Sequence, residues 1–271
     1  MVVSELFNFL NKKFPPIIQE QYDNSGKQIT FSKEEISGIL LALDVGDGVI
    51  IEAMNKGCNV IVTHHPLFFK PLKNIDDEDV LSKIVLNMLE KRISLYAAHT
   101  PLDKIYYDKL AEKLGVTLID IIYRDDSNAS AGSDELGYGV YGTLTQAIST
   151  ESWLKQVREI LNLDYITFGG EECKSIKKVA LLNGAGGRKI PAITQKYDVD
   201  CIITGDVGYH EMKYAMDAGV MVVDAGHYGT EKVLLDFLLT DIQDYLTKTI
   251  QDSEVQVSIA NSESNPFKVT R

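Results

Sequence analysis

Six short, predominantly apolar runs punctuate this chain: Ile39–Leu43, Asn59–Thr63, Ile93–Ala98, Val179–Leu182, Asp200–Thr204 and Val220–Asp224. Each stops at a segment rich in Gly, Asp or His. Runs this short suit strands covered on both faces, the situation inside a parallel sheet. Helical stretches, about Gly48 to Lys56 and about Asp77 to Lys91, separate the first three runs. Strand, helix and strand in that order form a right-handed crossover, which puts the far ends of the strands on one edge of the sheet. The fold class is therefore α/β, and whatever residues sit at those far ends are the ones the topology can gather.

The later runs repeat the grammar of the earlier ones. A shift of 141 residues carries Thr63 onto Thr204 and Ala42 onto Asn183, and the strand before His227 ends much as the strand before His99 does. This points to an internal duplication of a βαβ unit, with a first α/β repeat over 1–125 and a second over 126–271. Asp125–Ser133 reads as a solvated linker or loop, and Gly137–Gly142 as an edge strand or hairpin. A helix over Val3 to about Phe14 is stopped by Pro15-Pro16. A C-terminal helix runs from about Thr230 to Ile250, and a last strand near Val255–Ile259 is free to return to the first sheet.

Composition narrows the class of partners. The 271 residues, 45% hydrophobic and 24% charged, describe an ordinary globular chain with a well-buried core. A net charge of −12 repels phosphate backbones and argues against non-specific nucleic-acid binding, while a bound cation would leave a small anionic substrate compatible with the acidic exterior. Cys58, Cys173 and Cys201 lack metal or redox spacing and read as buried, reduced thiols. The start of the chain has no basic segment followed by an apolar one, and no apolar run is long enough to span a bilayer. The expected compartment is the cytoplasm, with no membrane partner.

All five histidines fall in the polar segments: Thr63-His64-His65-Pro66, His99-Thr100-Pro101-Leu102-Asp103, Gly205-Asp206-Val207-Gly208-Tyr209-His210 and Gly226-His227-Tyr228-Gly229-Thr230-Glu231. Singly, each is also an ordinary strand-end or helix-cap hydrogen bonder. As a set beside carboxylates they read as a divalent metal site, zinc, iron and manganese being the ions that imidazole and carboxylate suit. Adjacent histidines on an extended chain point apart, so His64 and His65 serve two ions more easily than one, which favours a dinuclear centre. His227 and Glu231, four apart at a helix start, share one face. Asp103 is the remaining carboxylate of suitable placement, although it can equally cap the helix that follows. The ligand set is then His64, His65, Asp103, His227 and Glu231. His99 and His210 are left as acid/base candidates, with Asp206 in support.

Asn183-Gly184-Ala185-Gly186-Gly187-Arg188 invites comparison with a phosphate-binding loop, with Arg188 as an anion fork. It lacks the lysine of such loops, and a tight strand-to-helix turn explains its glycines unaided. Trp153, Tyr106 and Tyr107 read as core or interface residues.

Five stretches together resemble the GTP cyclohydrolase 1 type 2 homologue family, also called Nif-three-like. They are Asp23-Asn24-Ser25-Gly26, Val62-Thr63-His64-His65-Pro66-Leu67, His99-Thr100-Pro101-Leu102-Asp103, Thr204-Gly205-Asp206 and Asp224-Ala225-Gly226-His227-Tyr228-Gly229-Thr230-Glu231. The resemblance implies two intertwined, structurally repeated α/β units with mixed sheets, a dinuclear metal site between them and a ring-shaped homohexamer assembled from dimers. Family ligands carried onto matching positions are the same five. Longer relatives hold an extra domain between the halves, and this chain resembles the short form. Two functions follow as expectations. One is a metal-dependent hydrolase that activates water for attack on a nucleotide or phosphoester, with His99 or His210 moving protons. The other is a non-catalytic ring whose metals stiffen a scaffold or partner-binding platform.

Overall fold

The computed structural model of the protein describes residues 1–125, 136–170, 175–250 and 255–270. The linker expected beyond Asp125 and Cys173 lie outside the described residues. The chain divides into two compact units, Met1–Leu102 with Leu235–Ser264, and Asp103–Leu234 with Asn265–Arg271. Each is built on a mixed sheet, so the mixed α/β class holds.

The first unit opens with α1 (Val3–Lys13), whose Leu6, Phe7 and Leu10 are fully buried and whose Glu5 reaches back to accept the Val2 backbone N–H at 2.8 Å. Then come β1 (Gly26–Ile29), β2 (Gly38–Ala42), α2 (Asp47–Asn55), β3 (Val60–Thr63), α3 (Val80–Glu90) and β4 (Ser94–Ala97). Asp79 caps α3 by accepting the Ser82 N–H at 2.9 Å. Every residue of β2, β3 and β4 is buried, as their unbroken apolar character requires of strands covered on both faces. The sheet order is β1-β4-β3-β2-β11, where β11 (Gln256–Ile259) returns from far along the chain to pair in parallel with β2. Only β1 is antiparallel, against β4. The register sets Ala42 opposite Thr63 and Thr63 opposite Ala97, so the three strands finish in one row.

The second unit receives α4 (Thr100–Ile105) and holds α5 (Lys109–Leu114), β5 (Val116–Arg124), β6 (Gly137–Ile148), α6 (Thr150–Ile160), β7 (Thr167–Gly169), β8 (Ile176–Leu181), α7 (Ile190–Lys196), β9 (Cys201–Thr204), α8 (Tyr209–Asp217) and β10 (Met221–Asp224). The chain continues into α9 (His227–Thr249). The sheet order is β5-β6-β8-β9-β10-β7. The Gly137–Gly142 stretch therefore lies in a hairpin, and β6 is an interior strand. The edge belongs to β5, which the apolar runs did not announce because Thr117 and Asp120 interrupt its apolar residues and Thr117, Leu118 and Ile119 are exposed. Trp153 of α6 is fully buried, and Cys58 and Cys201 are buried free thiols, each in its own unit.

The two sheets repeat one plan: three parallel strands (β2-β3-β4 and β8-β9-β10) with an antiparallel strand beside the last. The backbone ties Ala98 N–H to Thr63 O and Ala225 N–H to Thr204 O, so Thr63 and Thr204 are equivalent. The matching is not uniform, however. Leu41 faces Val62 and Leu181 faces Ile203, which brings Ala42 onto Leu182, one residue short of Asn183. The same register puts Gly226 at the place of His99 and His227 at that of Thr100, the first residue of α4. Among the described residues no helix is long and apolar enough to cross a membrane.

Candidate metal centre

In the first unit, parallel register delivers the histidines. His64 and His65 follow β3 and His99 follows β4, at neighbouring strand ends. His64, His65 and His99 each offer a ring nitrogen, and these atoms lie within 4.8 Å of one another. The His64 and His65 ring centroids are 4.8 Å apart, with His99 at 5.2 and 5.4 Å from them. The chain bends at His64-His65 instead of running on extended, and the Thr63 hydroxyl donates to His65 O at 2.7 Å across the bend. The adjacent pair thus turns its rings toward a common region, and adjacency by itself does not select two ions.

Two of the three rings are held by carboxylates. Asp44, just past β2, lies 3.1 Å from His65 Nδ1, and Asp23, before β1, lies 2.9 Å from His99 Nδ1. An ionised carboxylate only accepts, so each Nδ1 carries the proton and each Nε2 is the accepting nitrogen, able to take a cation or a proton. Asp23 also accepts from the Thr100 hydroxyl, from Thr100 N–H at 3.1 Å and from the Ser25 hydroxyl at 2.7 Å. Burial pushes its carboxyl up, but the hydrogen bonds from His99 and Thr100, the His99 charge and Ser25 outweigh it and hold Asp23 well below the usual carboxylate range.

In the second unit, His227 opens α9 and stacks on Glu231 one turn later, Nε2 to Oε1 at 3.1 Å. Asp206, just past β9, lies 2.9 Å from His227 Nδ1. Asp206 has a φ of 55°, a left-handed conformation that aspartate tolerates better than most residues. The Glu231 hydrogen bond raises His227; burial opposes it, and the charge of Glu231 and the bond to Asp206 add to it, bringing the imidazole to about 9. This pair of carboxylates favours positive charge between them, on a proton or on a metal.

The glycine-rich loop after β8 serves this arrangement. Gly184 has φ +60°, and a Cβ there would lie 2.2 Å from Glu231 Oε1. Its N–H donates to Thr230 Oγ1 at 2.8 Å, fixing the loop to the first turn of α9. At Gly205, where the equivalent strand end in the first unit carries His64, a Cβ would meet His227 N at 2.4 Å. Close approach to α9 accounts for these glycines, and Arg188 is exposed beyond them.

Asp103, in α4, is half-buried and accepts the Asn183 side-chain N–H at 3.4 Å. His210 stands exposed on α8 with its ring edge-on to Tyr209. Sequence reasoning missed Asp44 and reached Asp23 only as part of a stretch that carries the resemblance. The available signal was their position, since both are aspartates flanking strands at the edge where the histidines emerge. Each unit's donors fit a divalent ion by chemistry: in the first, His65 and His99 have their second nitrogens hydrogen-bonded, and in the second, Glu231 lies one helical turn from His227.

The model of the family described as Duf34/NIF3 (NGG1p interacting factor 3) matches residues 1–266, and the chain belongs to that family. A Clostridium acetobutylicum protein named GTP cyclohydrolase 1 type 2 homolog is 30% identical over 270 residues, covering 98% of each chain. A Campylobacter jejuni protein of the same name is 31% identical, covering 99% of each. The crystal structure of a Staphylococcus aureus hypothetical protein superposes with a TM-score of 0.85 at 26% identity, covering 100% of this chain and 99% of that one.

Proposed function

We propose that this protein is a divalent-metal-dependent hydrolase acting on a nucleotide or phosphoester, with His64, His65, Asp103, His227 and Glu231 as ligands of two ions. The observation that carries the reading is the trio of imidazole nitrogens within 4.8 Å, two of them on rings oriented by aspartates. Relatives named GTP cyclohydrolase 1 type 2 homolog support the substrate class. When bound, such ions supply Lewis acidity and make water a nucleophile near neutral pH.

The chain's own residues do the rest. Asp44 and Asp206 orient His65 and His227. Proton transfer falls to His99 in preference to His210, because Asp23 fixes the His99 tautomer within the cluster while His210 is exposed. The acidic chain relies on the cations to attract an anionic substrate. We further propose a homohexameric ring of dimers, which sedimentation of the full chain tests.

The test of function begins with elemental analysis of protein purified without chelator, followed by turnover of GTP and simple phosphoesters by metal-loaded protein. Wild type is expected to hold zinc, iron or manganese and to turn over one of these substrates, and His64→Ala to lose both properties. Equal rates in wild type and His64→Ala overturn the hydrolase. Metal-dependent assembly without turnover favours the scaffold.

A further inference from the structure

The aspartate that orients His65 lies at an exposed turn. The Asp44 side chain is 70% exposed, in the turn between β2 and α2. What holds that turn comes from far along the sequence. After β11 the chain runs along the ends of β2 and α2. Glu52 of α2 accepts the backbone N–H groups of Asn261 at 2.9 Å and Ser262 at 2.8 Å. The next residue, Glu263, turns its carboxylate to the strand end. One oxygen accepts the Leu43 N–H at 2.8 Å and the other accepts the Asp44 N–H at 2.7 Å.

The consequence is a short relay within the first unit. Leu43 O accepts the His65 N–H at 2.8 Å, so the peptide gripped by Glu263 also carries the backbone of His65. Asp44, whose N–H completes the grip, holds the His65 ring. A carboxylate taking two adjacent N–H groups, one per oxygen, fixes the orientation of that peptide far more tightly than a single neutral bond. Two independent points of the same histidine, backbone and ring, thus depend on one distant acid.

We propose that Glu263 is a positioning residue of the metal centre, locking Asp44 and the backbone of His65 so that the ring keeps its proton on Nδ1 and presents Nε2. The metal part of this proposal rests on the reading of His65 as a ligand; the proton placement does not. Glu263→Gln nearly preserves shape while replacing one accepting oxygen with an NH2 group that cannot accept.

Two readouts on the full chain decide the matter. The first is the ring-nitrogen NMR spectrum of His65 in metal-free protein, assigned through His65→Gln. The second is titration with Zn²⁺ alone. The expected result is that wild type shows the Nδ1–H tautomer and that Glu263→Gln mixes the two tautomers and weakens Zn²⁺ binding about 3- to 10-fold. This is less than Asp44→Asn, because Glu263 acts one step further from the ligand. A Glu263→Gln protein of lowered melting temperature with a wild-type His65 spectrum overturns the proposal and leaves Glu263 a structural clamp. If wild type binds no Zn²⁺, the metal-centre reading falls, and the tautomer comparison still decides the role of Glu263.

Discussion

The two units put one strand plan to different uses. In the first, the end of β3 carries His64, the end of β4 leads to His99, and side chains occupy the space beyond the sheet. In the second, the equivalent positions are Gly205 and Gly226, and the space is taken by the first turn of α9, which brings its own donors, His227 and Glu231. The scaffold is the same, but the donors stand at strand ends in one unit and at a helix end in the other. The shared element is an aspartate beyond a strand end that holds a histidine through Nδ1, Asp44 for His65 and Asp206 for His227.

The sharpest way to break this comparison is to put a side chain where only one unit tolerates it. Gly205→Ala drives a Cβ into the His227 backbone and is expected to cost about 3 kcal/mol of stability in urea unfolding. His64→Ala at the matching position removes atoms instead and should cost clearly less. Equal losses would mean that the two strand ends are not used differently.

Next in size are the paired aspartates. Asp44→Asn and Asp206→Asn should each weaken Zn²⁺ binding about 10- to 100-fold, measured by calorimetry on the folded variants. A response from only one of them would confine the metal role to one unit. Smaller still, Thr230→Val leaves the buried Gly184 N–H without its acceptor and should cost about 1–2 kcal/mol, while Thr63→Val loosens the bend at His65 by about 1 kcal/mol.

The smallest effect separates the units by pH. Burial pushes the Glu52 carboxyl up, but bonds from Lys56, Asn261 and Ser262 more than offset it and lower it from 4.5 to about 2. A depressed carboxylate stabilises the fold above its unfolded value, and that contribution is lost as pH falls from about 4.5 toward 2. Asp224 of the second unit is shifted the other way, raised chiefly by burial; the N–H bonds of Gly226 and Val207 oppose the rise and the nearby Asp206 charge adds to it. Its contribution is present at low pH and fades as pH rises past the ordinary aspartate range. Glu52→Gln should therefore flatten the acid-side loss of stability, read from urea midpoints against pH, and Asp224→Asn should not.

Much of the core was legible because short apolar runs at regular intervals specify parallel strands, and register then orders their ends. His64-His65 and the His227–Glu231 spacing carried their chemistry in local sequence. The supporting aspartates did not, since Asp23 meets His99 only through the antiparallel pairing of β1 with β4, and Asp44 meets His65 across two strand ends. Nor did the histidine equivalence survive. His99 and His227 look matched in sequence, yet the ladder offsets them by one residue: both strands hand over to their helices at the same place, His99 lies just before that start, and His227 is the first helical residue itself. The hairpin partner β5 was missed because Thr117, Asp120 and Arg124 break its apolar signal.

The position of β11 governs the order in which this protein can be made. Gln256 lies opposite Gly38, so the β2 edge of the first sheet stays open on a growing polypeptide until Gln256–Ile259 has left the ribosome. The strands of the second sheet, all between Val116 and Asp224, emerge before that moment. The sheet begun first is thus completed after the second, and its exposed strand edge in the interval is where a chaperone would be needed most.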